Sequence, residues 1–310
     1  MAQKGGRGMR EIIECVPNFS TSDPEVVQVI LKEIEGTEDA YLLDHTYDDY
    51  YNRLVVTFVG DQDSIVSGAL RASKKGIRLI DMTGHQGQHP RMGAVDVVPF
   101  VPLRDVELED CIRVSKEFGR RLAEECDVPV YLYAEAATSA ERRDLDWIRK
   151  GEYEELAHMM RRPGREPDFG PASPHPTAGA TVTGARQIMV GFNVNLGTSD
   201  LRVAKKIARA LHAKKGGLAF VKAMAAEIPE RGMTQIGMSI TDFKKTPIHR
   251  VLELLKVEAQ RYNVPIVGSE FCGLTPLRAL VDVAHHYLRV DNLTEDRVIE
   301  IAVQHAMENG

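Results

Sequence analysis

Cysteine is scarce in this 310-residue chain: Cys15, Cys111, Cys126 and Cys272 are the only four. They are too scattered for a disulfide framework, and none stands in a Cys-x-x-Cys pair, so they read as core residues in a reducing cell. An excess of positive charge is also lacking. The 39 Lys and Arg against 45 Asp and Glu leave a formal charge of −6, which argues against a surface built to hold nucleic acid but leaves room for a local basic pocket. No apolar stretch approaches the roughly 20 residues that a membrane helix needs, and the N-terminus has no apolar h-region of a signal peptide. The expectation is a cytoplasmic protein without a membrane partner. Residues 1–9 are Gly-rich and basic and read as a flexible leader.

What is present is an ordinary globular composition, 43% apolar and 27% charged. The length exceeds what one hydrophobic core usually supports, so two lobes are expected. The apolar periodicity predicts strands over 12–16, 41–43, 53–59, 95–101 and 128–133, alternating with helices over 24–34, 64–75 and 108–126. This is an α/β pattern. Between 163 and 179 the composition changes: Pro163, Pro167, Pro171, Pro174 and Pro176 fall with Gly164, Gly170 and Gly179 in 17 residues. Neither a helix nor a central strand tolerates that, and a loop so long is a linker or a binding loop. Beyond it, 188–196 reads as a strand and 200–211 as an amphipathic helix. An internal echo supports two related lobes: 110–126 leads into Val128-Pro129-Val130-Tyr131 as 247–262 leads into Val264-Pro265-Ile266-Val267. Two such lobes facing one another across a crevice would make a small-molecule site.

The segment richest in chemistry is Gly84-His85-Gln86-Gly87-Gln88-His89-Pro90-Arg91-Met92-Gly93. His85 and His89 have the spacing of a helical metal pair, yet the glycines and Pro90 oppose a helix and no third ligand lies close by, so no metal is expected. His89, held extended by Pro90, suits a general acid or base, its ordinary pKa lying near 6.5. Arg91 beside it suits a carboxylate. Taken alone, both histidines read equally as hydrogen-bonded surface residues of a loop.

The ordered words Glu14-Cys15-Val16-Pro17-Asn18-Phe19-Ser20, Asn52-Arg53, His89-Pro90-Arg91-Met92-Gly93-Ala94, Gly151-Glu152-Tyr153-Glu154, Pro167-Asp168-Phe169-Gly170-Pro171, Gly184-Ala185-Arg186 and Asn193-Val194-Asn195-Leu196 run through nearly the whole chain. In that order they resemble the formiminotransferase domain. The resemblance implies an α/β (α+β) fold of two similar subdomains, each a β-sheet with helices on its outer face, facing each other across a ligand crevice. The subdomains would be residues 10–185, with a folate loop at 163–179, and residues 186–310. It implies a cytoplasmic homodimer of histidine degradation and one-carbon metabolism. This enzyme would move a formimino group from N-formiminoglutamate to N5 of tetrahydrofolate, its co-substrate, and release glutamate. Some members carry a fused cyclodeaminase domain, for which this chain is too short.

Carried onto this sequence, the family's catalytic histidine is His89. Asp44, Asn52, Arg53, Arg91, Gly170, Pro171, Ala178, Gly179, Arg186, Asn193 and Asn195 are expected to contact substrate or folate. Each has a plainer reading: arginines as solvated or paired surface charges, asparagines as turn caps. Three departures from the family pattern stand out. Thr46 replaces the second of two acids that begin at Asp44, with Asp48 or Asp49 as substitutes. Small residues with His175 fill 172–178, where bulky apolar side chains and a Trp are usual. Thr21-Ser22 follows Asn18-Phe19-Ser20 in place of Glu-Gly. The departures leave two alternatives: a related enzyme acting on 5-formyltetrahydrofolate or N-formylglutamate, and a non-catalytic folate or amino-acid binding protein.

Overall fold

The structure is a computed structural model that describes residues 11–308, so the expected leader lies outside the described residues. The chain divides between Gln187 and Ile188 into two compact units.

In the first unit the elements run β1 (Ile12–Cys15), β2 (Asn18–Phe19), α1 (Pro24–Glu35), β3 (Tyr41–Asp48), β4 (Arg53–Gly60), α2 (Gln62–Leu79), β5 (Val95–Arg104), α3 (Leu108–Cys126), β6 (Val130–Ala134), α4 (Leu145–Ile148), α5 (Glu152–Met159) and β7 (Thr181–Ala185). Helix α1 starts where Asp23 accepts from the Glu25 amide and Pro24 presets the first turn. Its Val27, Ile30, Leu31 and Ile34 recur at helical spacing and are buried. Helix α3 begins with a reciprocal capping box between Glu107 and Asp110. The sheet is mixed. Strand β3 forms an edge beside β4, β1 and β2 lie end to end between β4 and β5 in antiparallel pairing, and β7 and β6 continue the sheet in parallel.

Ile13, Cys15, Phe19, Leu54, Val56, Phe58, Val98 and Phe100 join residues of α1, α2 and α3 in one core. On the other face, at the β6–β7 end, Tyr131, Tyr133 and Val182 pack with Ile148, Leu156 and Met160 of the α4–α5 region. The aromatic and acidic stretch after Leu43 extends the strand expected over 41–43. It carries β3 on to Asp48, because an edge strand exposed on its flank needs no apolar alternation. The 163–179 segment remains outside helix and strand.

In the second unit the order is β8 (Val190–Leu196), α6 (Leu201–Leu211), β9 (Val221–Ile228), β10 (Met233–Ile240), α7 (Ile248–Gln260), β11 (Ile266–Cys272), α8 (Leu277–Leu288) and α9 (Ile299–Glu308). The four strands are antiparallel, in the order β11-β8-β10-β9. Val190, Phe192, Val194 and Leu196 turn inward onto α6 and α7. The sequence echo becomes α3–β6 in one unit and α7–β11 in the other, but β6 pairs in parallel and β11 antiparallel. Among the described residues no helix is long and apolar enough to cross a membrane.

Candidate active site

Strand alternation decides which side chains share a face. Because Leu54, Val56 and Phe58 enter the helical core, Arg53, Val55 and Thr57 face the other way. Cross-strand partners share a face, so Asp44 opposite Thr57, Thr46 opposite Val55 and Asp48 opposite Arg53 stand on that same open side. Asn18, opposite Val55, joins them. Glu14, opposite Val59, stands on the same side further along the sheet. The first sheet thus turns one apolar face to α1, α2 and α3, while the β3–β4 part of its other face carries polar side chains. Thr46 lies between Asp44 and Asp48 on this face, so Asp48 presents a carboxylate two residues on, its Oδ1 accepting from the Tyr51 amide.

The histidine-bearing loop between α2 and β5 is pinned on this side. Asn52 takes a left-handed conformation, φ 46°, which asparagine tolerates. Its Nδ2 donates to the Gln86 carbonyl at 2.8 Å, its Oδ1 accepts from the Ser22 amide at 3.0 Å, and its own carbonyl meets His85 Nε2 at 3.1 Å. Asn52 therefore serves the loop. Arg91 is buried and gives all its donors to protein: Nη1 to Glu152 and Glu154, Nη2 to Glu154 at 2.6 Å and to the His85 carbonyl, and Nε to His85 Nδ1 at 3.2 Å. It fastens the loop to the start of α5.

At the loop's far end Asp96, fully buried on β5, accepts from the Met92 amide at 3.0 Å through Oδ1. Through Oδ2 it accepts from Arg53 Nη1 at 2.8 Å and from Arg149 Nη2. Arg53 also donates through Nε to Asn18 Oδ1 at 3.1 Å. Burial raises the Asp96 carboxyl, but the Arg149 and Arg53 guanidiniums outweigh it and hold the group below its ordinary value. Burial draws Arg53 down to about 10, still charged at neutral pH.

His89 is half-buried next to this cluster, with the Tyr51 ring edge-on at 6.3 Å. Its Nδ1 lies 2.8 Å from the Pro90 carbonyl. A carbonyl can only accept, so Nδ1 carries the hydrogen and Nε2 keeps a lone pair. Burial, then the positive charges of Arg53 and Arg149, lower the imidazole to about 4 against the opposing pull of the Pro90 carbonyl and Asp96. Where the ordinary value near 6.5 suits acid and base alike, this surrounding lowers the imidazole, which leaves it unprotonated at neutral pH.

The Pro/Gly segment runs alongside. Gly179 has φ 68°, and a Cβ there would sit 2.3 Å from the Met92 carbonyl oxygen, so the loop and the segment approach backbone to backbone. Gly93 and Gly179 form a bridge, and Ala180 donates to the Met92 carbonyl at 3.0 Å. His175 Nδ1 accepts from the Ala178 amide at 3.0 Å. Ala178 is buried in the main core, its amide given to His175 and its carbonyl accepting from the Ala94 amide at 2.9 Å, so the expected ligand contact at Ala178 is corrected to a packing role. Gly170, φ 83°, and the half-buried Pro171 open the exposed part of the segment. Before them, Asp168 takes Arg142 at 2.6 Å and the Thr138 hydroxyl at 2.7 Å.

Arg186 stands apart from the histidine loop, donating to the Gln187 carbonyl at 3.1 Å. Its charge acts on Glu14, whose carboxyl burial raises and Arg186 partly lowers. In the second unit, Asn193 and Asn195 face away from the helices, tied into a ladder: Asn193 Nδ2 reaches Glu270 at 3.3 Å, while Gln235 Nε2 serves Asn195 at 2.9 Å and Glu270 at 3.0 Å.

Sequence reasoning assigned no role to Asp96, Arg149, Glu152 or Glu154. Asp96 carries a signal after all, a lone acid inside the apolar run 95–101. For Arg149 the family match gave a place but no partner, since only folding brings it to Asp96. Among the described residues no three His, Cys, Asp or Glu side chains converge to hold a metal.

Two α/β units, one of them holding an unprotonated histidine over a buried charge cluster on a polar sheet face, define an enzyme of small-molecule chemistry. Residues 12–186 match the formiminotransferase domain, N-terminal subdomain, and residues 191–307 match the formiminotransferase domain. The chain is 44% identical over 298 residues to the glutamate formimidoyltransferase of Thermoplasma acidophilum, covering 95% of this chain and 98% of that protein. It is 40% identical over 285 residues to the glutamate formimidoyltransferase of Streptococcus pyogenes serotype M1, covering 92% and 95%. The formimidoyltransferase-cyclodeaminase of Mus musculus is 44% identical over 292 residues, which are 92% of this chain but 54% of that longer protein. The chain belongs to the formiminotransferase family and is a one-carbon transferase.

Proposed function

We propose that the enzyme transfers the formimino group of N-formiminoglutamate to N5 of tetrahydrofolate, with His89 as the proton carrier. Attack of N5 on the amidine carbon forms a new C–N bond and leaves a proton on N5. His89 Nε2 takes that proton and returns it to the glutamate nitrogen, and the bond from carbon to that nitrogen breaks. Atoms and charge balance without a redox step. The supporting observation is the state of His89: Nδ1 is spent on a carbonyl, and burial beside two guanidiniums keeps Nε2 unprotonated at about neutral pH. An imidazolium formed there gives its proton up readily, as the leaving amine requires. Holding both reactants on one surface supplies the rest.

The same proposal assigns ligand contacts to Asp44, Arg53, Gly170, Pro171, Gly179, Arg186, Asn193 and Asn195. Arg91 and Asn52, committed to the loop, hold His89 in place, and the buried Ala178 packs behind it. A homodimer at work in the cytoplasm, within histidine degradation, belongs to the proposal on the strength of the family.

The test is glutamate release and 5-formiminotetrahydrofolate formation by the full chain. His89→Ala should lose about 10²–10⁴ in kcat with binding retained. In the parent, kcat/KM should stay level down to weakly acid pH and fall as His89 becomes protonated through about 4. Activity confined to formyl donors would replace the substrate, and turnover unchanged in His89→Ala would remove the histidine from the mechanism.

A further inference from the structure

Arg149, just after α4, is 9% exposed, yet its side chain makes one hydrogen bond to protein, from Nη2 to Asp96. Its Nε is shut from solvent and has no partner among the described residues. A guanidinium carries five N–H donors, and groups buried this deeply are ordinarily supplied with acceptors. Arg53, 8% exposed, shares the same acceptor oxygen. One carboxylate thus serves two guanidiniums, which leaves one positive charge in excess where an unpaired charge is costly. Glu152 and Glu154 both sit on Arg91 rather than on this cluster, and at 41% and 60% exposure their surplus negative charge is solvated instead of buried against it.

We propose that Arg149 and Arg53 form a carboxylate subsite beside His89, occupied in the working enzyme by a carboxylate of the donor amino acid. The identity of the ligand rests on the formimino-transfer reading; the demand for an anion rests on the geometry. A carboxylate matches the forked donors of a guanidinium and supplies the negative charge that the cluster lacks.

The subsite couples donor binding to the base. The groups that face His89 are Arg53 from β4, Asp96 from β5 and Arg149 behind α4, with the Pro90 carbonyl on Nδ1 and the Tyr51 ring at its edge. Within the loop and on α5, His85, Arg91, Glu152 and Glu154 are paired with one another. A carboxylate on the two arginines offsets the charges that keep His89 unprotonated, so proton affinity at Nε2 rises when the donor is bound. The donor strengthens the base that acts on it.

The test follows the His89 imidazole of the full chain by nuclear magnetic resonance against pH, with and without L-glutamate, its signal assigned by its loss in His89→Gln. Glutamate should move the titration midpoint upward. Arg149→Gln should weaken glutamate binding, measured by calorimetry, by at least about tenfold, and should raise the midpoint without ligand. Should that variant fail to fold, Arg149→Lys keeps the charge without the fork and should bind glutamate more weakly than the parent. Unchanged glutamate affinity in either folded variant, or no glutamate-dependent shift in the parent, would overturn the subsite. So would an equal shift from acetate at the same concentration, or a shift with p-aminobenzoyl-L-glutamate but not with glutamate, which would give the carboxylate to the folate side. Neither readout needs turnover. A protein inactive toward N-formiminoglutamate that still shows the shift keeps the subsite and loses the proposed reaction, and an active protein without the shift does the reverse.

Discussion

Replacing Asp96 by Asn changes one oxygen for an amide in a fully buried site, with three hydrogen bonds and two ion pairs at stake. The side-chain volume is kept, so the effect isolates charge. Asn cannot neutralise Arg53 and Arg149, and its Nδ2 presents hydrogens where one of the two carboxylate oxygens had accepted. Breaking a buried pair by removing one partner costs about 3–5 kcal/mol, because the surviving charge stays buried. Here two guanidiniums survive, which places the expected loss at the upper end, tempered by the small exposure of each.

The protein has a built-in reporter for this measurement. Its single tryptophan, Trp147, lies in the first unit with the Arg165 guanidinium 3.3 Å from its ring centroid. Urea unfolding followed by Trp147 fluorescence therefore reads the unit that contains Asp96 and is blind to the other. The pH dependence checks the sign. Asp96 is held below its ordinary value in the folded protein, so its contribution is present above the unfolded carboxylate pKa and is lost as pH falls through the folded one. The deficit of Asp96→Asn should be full at neutral pH and shrink on acidification. A loss under about 1 kcal/mol at neutral pH would refute the reading of Asp96 as the carboxylate that holds two buried guanidiniums.

Two further outcomes follow from the same physics. Gly179→Ala should destabilise the first unit by at least about 1–2 kcal/mol, since the left-handed φ of 68° costs that much alone and the new Cβ meets the Met92 oxygen at 2.3 Å; the same urea titration reads it. Glu14→Gln should raise the thermal midpoint at neutral pH, because burial lifts this carboxyl above its unfolded value and Arg186 offsets it only in part. The penalty applies while the group is charged and fades as pH falls through its folded pKa, so a gain that persists undiminished in acid would count against the explanation.

Local pattern alone identified much of the scaffold. Helix α3 begins and ends where periodicity placed it, at Leu108 and Cys126, because a strong apolar stripe and a capping box are both written within a few residues. The Pro/Gly run excluded regular structure over 163–179 for an equally local reason. Strands β9 and β10 escaped notice. So did most of β3, where Asp44, His45, Thr46, Tyr47 and Asp48 show no apolar alternation, since an exposed edge strand imposes none.

The site divides along the same line. The family was legible from the ordered motifs, and the motif around His89 singled that loop out as a candidate. The sequence could not say that Arg91 would be spent on Glu152 and Glu154, nor that Arg149 would take a place near the histidine. Arg53 and Asp96 are 43 residues apart and Asp96 and Arg149 53 apart, so their meeting depends on sheet pairing and on the turn after α4. The state of His89 depends on it too, for an imidazole's proton affinity is set by the charges and the solvent around it, and these are properties of the folded chain. Sequence determined the family, the local elements and the candidate residues; tertiary structure decided the charge states and partners of those residues, because burial and long-range pairing exist only once the chain has closed on itself.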